Sequence, residues 1–150
     1  MHLVLWLTAA LMIAASGVGW AAEAPAIGQI KKVTGEASIL RSGQRLPAHV
    51  GDMVFAADTV ETGPDGAIGI TFIDNTVFST GPNSEVALDE FQFDSANFRG
   101  SMLADMRRGT LAVVSGDIAR SSPGAMKIKT PTAVLGVRGT TFAVQVYGVH

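Results

Sequence analysis

Few side chains in this sequence are placed to do chemistry. Arg138 is the clearest, set between Gly136 and Gly139 near the end of the stretch 130–146. A guanidinium at a crowded bend recruits a carboxylate or backbone carbonyls, so Arg138 is expected to form a structural ion pair or to contact a ligand. Asp52, Asp58, Asp65 and Asp74 recur at turn-like positions and invite a calcium site. No EF-hand or nonapeptide calcium pattern accompanies them, and aspartate at a turn ordinarily accepts hydrogen bonds from nearby backbone. His49 is the one histidine of the expected folded body, the others being His2 and His150, and a lone imidazole makes no zinc site without acidic partners. Asp89 and Glu90 are adjacent carboxylates, but neighbours on a strand face opposite sides and do not share a substrate. Phe91 and Phe93 share a strand face and are the candidate surface for a carbohydrate or protein, unless the core covers them.

The rest of the catalytic inventory is thin. There is no cysteine, no Gly-x-Ser-x-Gly elbow, phosphate loop, dinucleotide fingerprint or paired-histidine motif. General bases for nucleophilic catalysis are correspondingly scarce. The chain is expected to be no enzyme and to carry no metal and no cofactor. With 11 basic and 13 acidic residues and a net charge of -2, it has no basic excess to hold phosphate backbones, so nucleic acid is not an expected partner. Its 150 residues suit one domain.

The elements that position these residues read as short strands. Within 130–146, Ala133, Leu135 and Val137 occupy odd positions, whereas Phe142, Val144 and Val146 occupy even ones. Strand side chains alternate with a period of two, so the change of phase demands a bulge or tight turn at Arg138-Gly139. Upstream, two β-rich runs flank Gly35, and Ile70 to Phe78 reads as two strands joined by an Asp74-Asn75 turn. Thr62-Gly63-Pro64-Asp65 matches Thr80-Gly81-Pro82-Asn83 at an offset of 18 residues, each copy preceding an alternating strand. That spacing fits stacked β-coils or a meander. The expected fold is all-β, a short β-solenoid or roll in preference to a sandwich-like arrangement. Residues 101–109 have some helical character but are expected as a strand or mixed turn; 115–117 reads as a turn and 120–125 as an exposed loop.

Residues 3–18 are an apolar run ending in small residues before Ala21-Ala22. This hydrophobic helix reads as a secretory signal peptide over 1–22, with an uncleaved membrane anchor as the alternative. Either reading places the remainder outside the cytoplasm, periplasmic or secreted, with membrane contact only through an uncleaved segment.

Thr130-Pro131, Gly136-Val137-Arg138-Gly139-Thr140 and Phe142 resemble the closing signature of the FecR domain, a family named for a periplasmic regulator of ferric citrate uptake. Gly51-Asp52, Asp58 to Gly63, Phe72 to Thr76 and Gly81 to Ser84 follow the order such domains show, so the resemblance covers 28–146. Asn75 stands where a glycine is usual, and asparagine also tolerates positive φ. The resemblance implies that Pro131, Gly136, Gly139, Thr140 and Phe142 are structural signature residues. It also implies a non-enzymatic module for envelope signalling or regulation, with a link to iron-uptake genes and an envelope protein as partner. No helical region able to hold a sigma factor precedes the apolar run, so a partial role is expected. The alternative is a structural or glycan-binding envelope protein. If the chain ends at His150, its last strand is expected to be an unprotected edge.

Overall fold

The computed structural model describes residues 24–139 and 141–147; the expected signal segment and Thr140 lie outside the described residues. Twelve strands form one curled sheet. The first nine are β1 (Gly28–Thr34), β2 (Ala37–Arg41), β3 (Gln44–Pro47), β4 (Met53–Val54), β5 (Thr59–Thr62), β6 (Ala67–Phe72), β7 (Val77–Thr80), β8 (Glu85–Asp94) and β9 (Arg99–Val114).

Most of these are halves of longer strands. β1 runs into β2 past Gly35, β5 into β6 past 63–66, and β7 into β8 past 81–84, while β9 turns at Gly109 without losing its strand. The four bent strands are antiparallel neighbours: β1 pairs β6 and β2 pairs β5, β6 pairs β7 and β5 pairs β8, and β7 and β8 pair successive parts of β9. Because the bends fall at one level, the sheet folds over along a line crossing the strands. The matching Thr-Gly-Pro segments are therefore two neighbouring bends of a roll, and their 18-residue offset is the length of one arm, its hairpin and the next arm.

The crease is fixed by backbone contact. Gly63 N donates to Glu36 O, Asn83 N to Gly63 O and Gly81 N to Thr110 O, at 2.9, 3.0 and 3.0 Å. Thr62 Oγ1 donates to Gly81 O at 2.7 Å and accepts from Ser84 N at 2.9 Å, so the two Thr-Gly-Pro turns hold each other. Ser84 Oγ accepts from Thr110 N at 3.0 Å and donates to Gly81 O at 2.9 Å. A Cβ at Gly66 would lie 2.0 Å from Glu36 O, and one at Gly109 would lie 2.2 Å from Ser84 Oγ.

Folding over buries one face of each arm. Ile68, Ile70 and Phe72 of β6, Val86 and Leu88 of β8, and Met102, Ala104 and Met106 of β9 alternate inward. Phe72 meets Phe78 edge to face at 4.8 Å and Phe91 in a stack at 5.7 Å. Each such ring contributes on the order of 1.5–3 kcal/mol by burial.

Opposite the crease the open side is crossed by α1 (Asp117–Ser121), which carries the chain from the end of β9 to β10 (Met126–Lys129) in the other half. Ile118 and Ala119 are fully buried. The sequence suggested a turn and an exposed loop here; five residues are too few for a helical period to show. Asp74 instead imposes the helix: its carbonyl accepts from Asp117 N at 2.7 Å and its carboxylate from Ile118 N at 3.3 Å. Residues 101–109 are strand throughout. β10 lies parallel to β9, and β11 (Val134–Val137) turns back along β10. The expected break follows at Arg138-Gly139, where Gly139 has φ +96, and β12 (Thr141–Val146) then crosses to the other half and pairs β9.

Gly109→Ala and Gly66→Ala are expected to lower unfolding free energy by roughly 2–4 kcal/mol, because the displaced partners are backbone or a short buried side chain. Gly43→Ala, with positive φ but open space around its Cβ, should cost only the left-handed backbone penalty of about 1–2 kcal/mol. Urea denaturation of the three variants checks the ranking.

Candidate functional site

The corner aspartates are engaged with the fold's own donors. Asp52 accepts from His49 N, Asp58 from Phe55 N, Asp65 from Glu36 N across the crease, and Asp74 from Thr76 N. Among the described residues no group of three or more His, Cys, Asp and Glu side chains is placed to hold a metal. His49 sits beside Asp52, Nδ1 to Oδ2 at 3.4 Å, on the surface.

Two of these carboxylates are buried. Asp58 is held by Arg41 through two bonds of 2.8 Å, Nε to Oδ1 and Nη2 to Oδ2. The guanidinium stacks on Phe55 at 4.6 Å and also donates to Met53 O. The hydrogen bond to Asp58 raises the Arg41 pKa above the ordinary arginine value. Any stability linked to that shift is present below the unfolded value and is lost only as pH rises through the folded one, so it is constant across neutral pH. Asp74 accepts the Thr76 hydroxyl at 2.7 Å as well as the α1 amide, while Gly116 N donates to Thr76 Oγ1 at 3.1 Å. Both clusters are closed structural ties.

The open chemistry lies at the C-terminal end. β10 covers residues 102–105 of β9, and β12 covers 109–114 on the same side. Residues 106–108 have no strand beside them there, and a groove of about 430 Å³ opens between the β10–β11 turn and β12, with Pro131, Leu135, Val144, Val146 and Tyr147 in its lining. Among the described residues β11 pairs β10 alone and β12 pairs β9 alone, so each presents an outer edge. Neither strand contains a charged residue or a proline. The other edges differ: β3 carries Arg45 and Pro47, β4 is two residues long, and β1 carries Lys31 and Lys32.

Of the residues singled out in the sequence, Arg138 is exposed beside this region, and no ion pair joins it among the described residues. The described residues thus show no carboxylate partner for the expected ion pair. Phe91 is 8 % exposed and stacked on Phe72, so it is core and presents no ring to a sugar. Phe93 is half-buried against the same cluster. Pro131, Gly136 and Gly139 are exposed around the β11 hairpin and Phe142 packs on the core. The groove itself was not anticipated, since it arises from where two distant strands stop along β9. The phase change before β12 was its only trace in sequence.

Asp74→Ala strips the acceptor from Thr76 and from the α1 amide; with hydrogen bonds to a charged group worth about 1.5–3 kcal/mol each, the loss should reach on the order of 3 kcal/mol. Asp117→Ala, which removes a partly exposed pair with Arg120 and an exposed bond from Asn75, should cost less, about 1 kcal/mol. Thermal and urea unfolding of the two variants tests the contrast.

No curated protein matches the sequence significantly. A solved cell surface anchoring domain is 36 % identical over 42 % of this chain and 84 % of its own, with a TM-score of 0.41. The FecR protein family matches residues 58–149, a span running from the buried Asp58 through both uncovered edge strands and covering more than half of the sequence, and the chain belongs to that family.

Proposed function

We propose that this protein is a non-enzymatic interaction module of the cell envelope, periplasmic or secreted, which engages a partner protein in signalling or regulation by adding a partner strand to β12. Family membership supports an envelope role. The single observation that carries the mode of binding is the uncharged, proline-free outer edge of β12 beside a mostly apolar groove that also includes Arg107. Soluble proteins blunt such edges with lysine, proline or brevity, and this chain does so at β1, β3 and β4 but not here. An added strand gains main-chain hydrogen bonds from the edge and side-chain specificity from the groove. Catalysis has no support in the two buried carboxylates, because both are spent on internal donors. The glycan-binding alternative is weakened by burial of Phe91.

A photo-crosslinking residue at Gln145, exposed on β12, is expected to trap a discrete envelope protein in cells, whereas the same residue at Gln44 on β3 should not. Identical adducts from both positions, or none from Gln145, would overturn the reading.

A further inference from the structure

The part of the sheet farthest from the crease in one half consists of β8, β9, β10 and β11 in that order, and among the described residues neither of its sides is covered by a further strand. On the β8 side, β5 ends opposite Ala87, and the last backbone bonds to that flank are Ala57 N to Leu88 O and Leu88 N to Asp58 O. Asp89 to Asp94 thus has no strand on its outer flank. This segment exposes Asp89, Glu90 and Asp94 and contains no cation. On the β11 side, Val134 and Leu135 are 60 % and 40 % exposed. Lys127 and Lys129 stand on the outer face of β10 and Arg138 follows β11. None of the three has an ion-pair partner among the described residues, and residues 118–147 contain no carboxylate.

We infer that copies of this chain join side by side, the acidic β8 flank of one adding to the β11 edge of the next. The strand directions agree. β8 and β11 both run opposite to β9, so two copies in the same orientation bring them together as parallel neighbours and continue the sheet. The registers place Glu90, Leu103, Lys127 and Gly136 in one row across the four strands. Gly136 has no side chain, and its nearest potential contact is Gly124 Cα at 3.9 Å. Lys127 is free to lean across that gap toward the carboxylates of the adjoining copy. The contact joins two different surfaces, so it propagates into open chains and does not close as a two-fold pair. It uses neither the outer edge of β12 nor the residues probed by crosslinking there, so either reading can fail without the other.

Sedimentation velocity of the purified protein tests this over a range of concentrations, at salt of roughly 0.01 M and 1 M, where the screening length is about 30 and 3 Å. The expected result is an average mass that rises past two copies with concentration at low salt and falls toward monomer at high salt. Lys127→Glu with Lys129→Glu, and separately Glu90→Lys with Asp94→Lys, should each lose association while retaining the wild-type circular dichroism, and mixing the two variants should restore it. A wild-type monomer throughout the range, a mass that stops at two copies, or charge-reversed variants that associate as wild type does would each overturn the inference.

Discussion

Along the crease, Glu36 O lies 2.0 Å from where a Gly66 Cβ would stand and Ser84 Oγ lies 2.2 Å from that of Gly109. This close approach allows four long strands to bend at the same level, and the remainder follows from it. With the bends aligned, the inner faces of both halves meet and Phe72, Phe78 and Phe91 form one aromatic centre. With the sheet folded, its far ends stand open and must be bridged. Asp74 does this from the β6–β7 hairpin by holding the start of α1, and Ser121 at the other end donates to Phe98 O in the β8–β9 hairpin.

The two buried carboxylates divide the work of closure. Asp58 is neutralised by a cation that reaches it from β2, tying the start of β5 to its neighbour. Asp74 has no ion-pair partner among the described residues and is satisfied by a hydroxyl and backbone amides. A buried charge is tolerable on either plan only when its oxygens are fully bonded. The consequence is that polar chemistry in the interior is structural, and what remains available to other molecules lies at the strand edges.

Local signals in the sequence carried much of the fold. Gly35 separates β1 from β2, Asn75 turns with φ +67 where a glycine is usual, and the phase change at Arg138-Gly139 marks the passage from β11 to β12. These are backbone demands that a residue type announces by itself. α1 was not legible because its helical state comes from Asp74, more than 40 residues away in sequence. Nor was the core position of Phe91, since alternation shows that Phe91 and Phe93 share a face without showing which side of the sheet is covered. The site was least legible: the groove depends on β10 and β12 ending at different points along β9, which no local pattern announces.

A sheet bent along one line has the outline of a hinge, yet this one cannot work as a hinge. Opening the angle would pull α1 from both hairpins at once, from Asp74 at one end and from Phe98 O at the other. For the strand addition proposed above, docking is therefore rigid, and the incoming segment, not the roll, bears the entropy of becoming ordered.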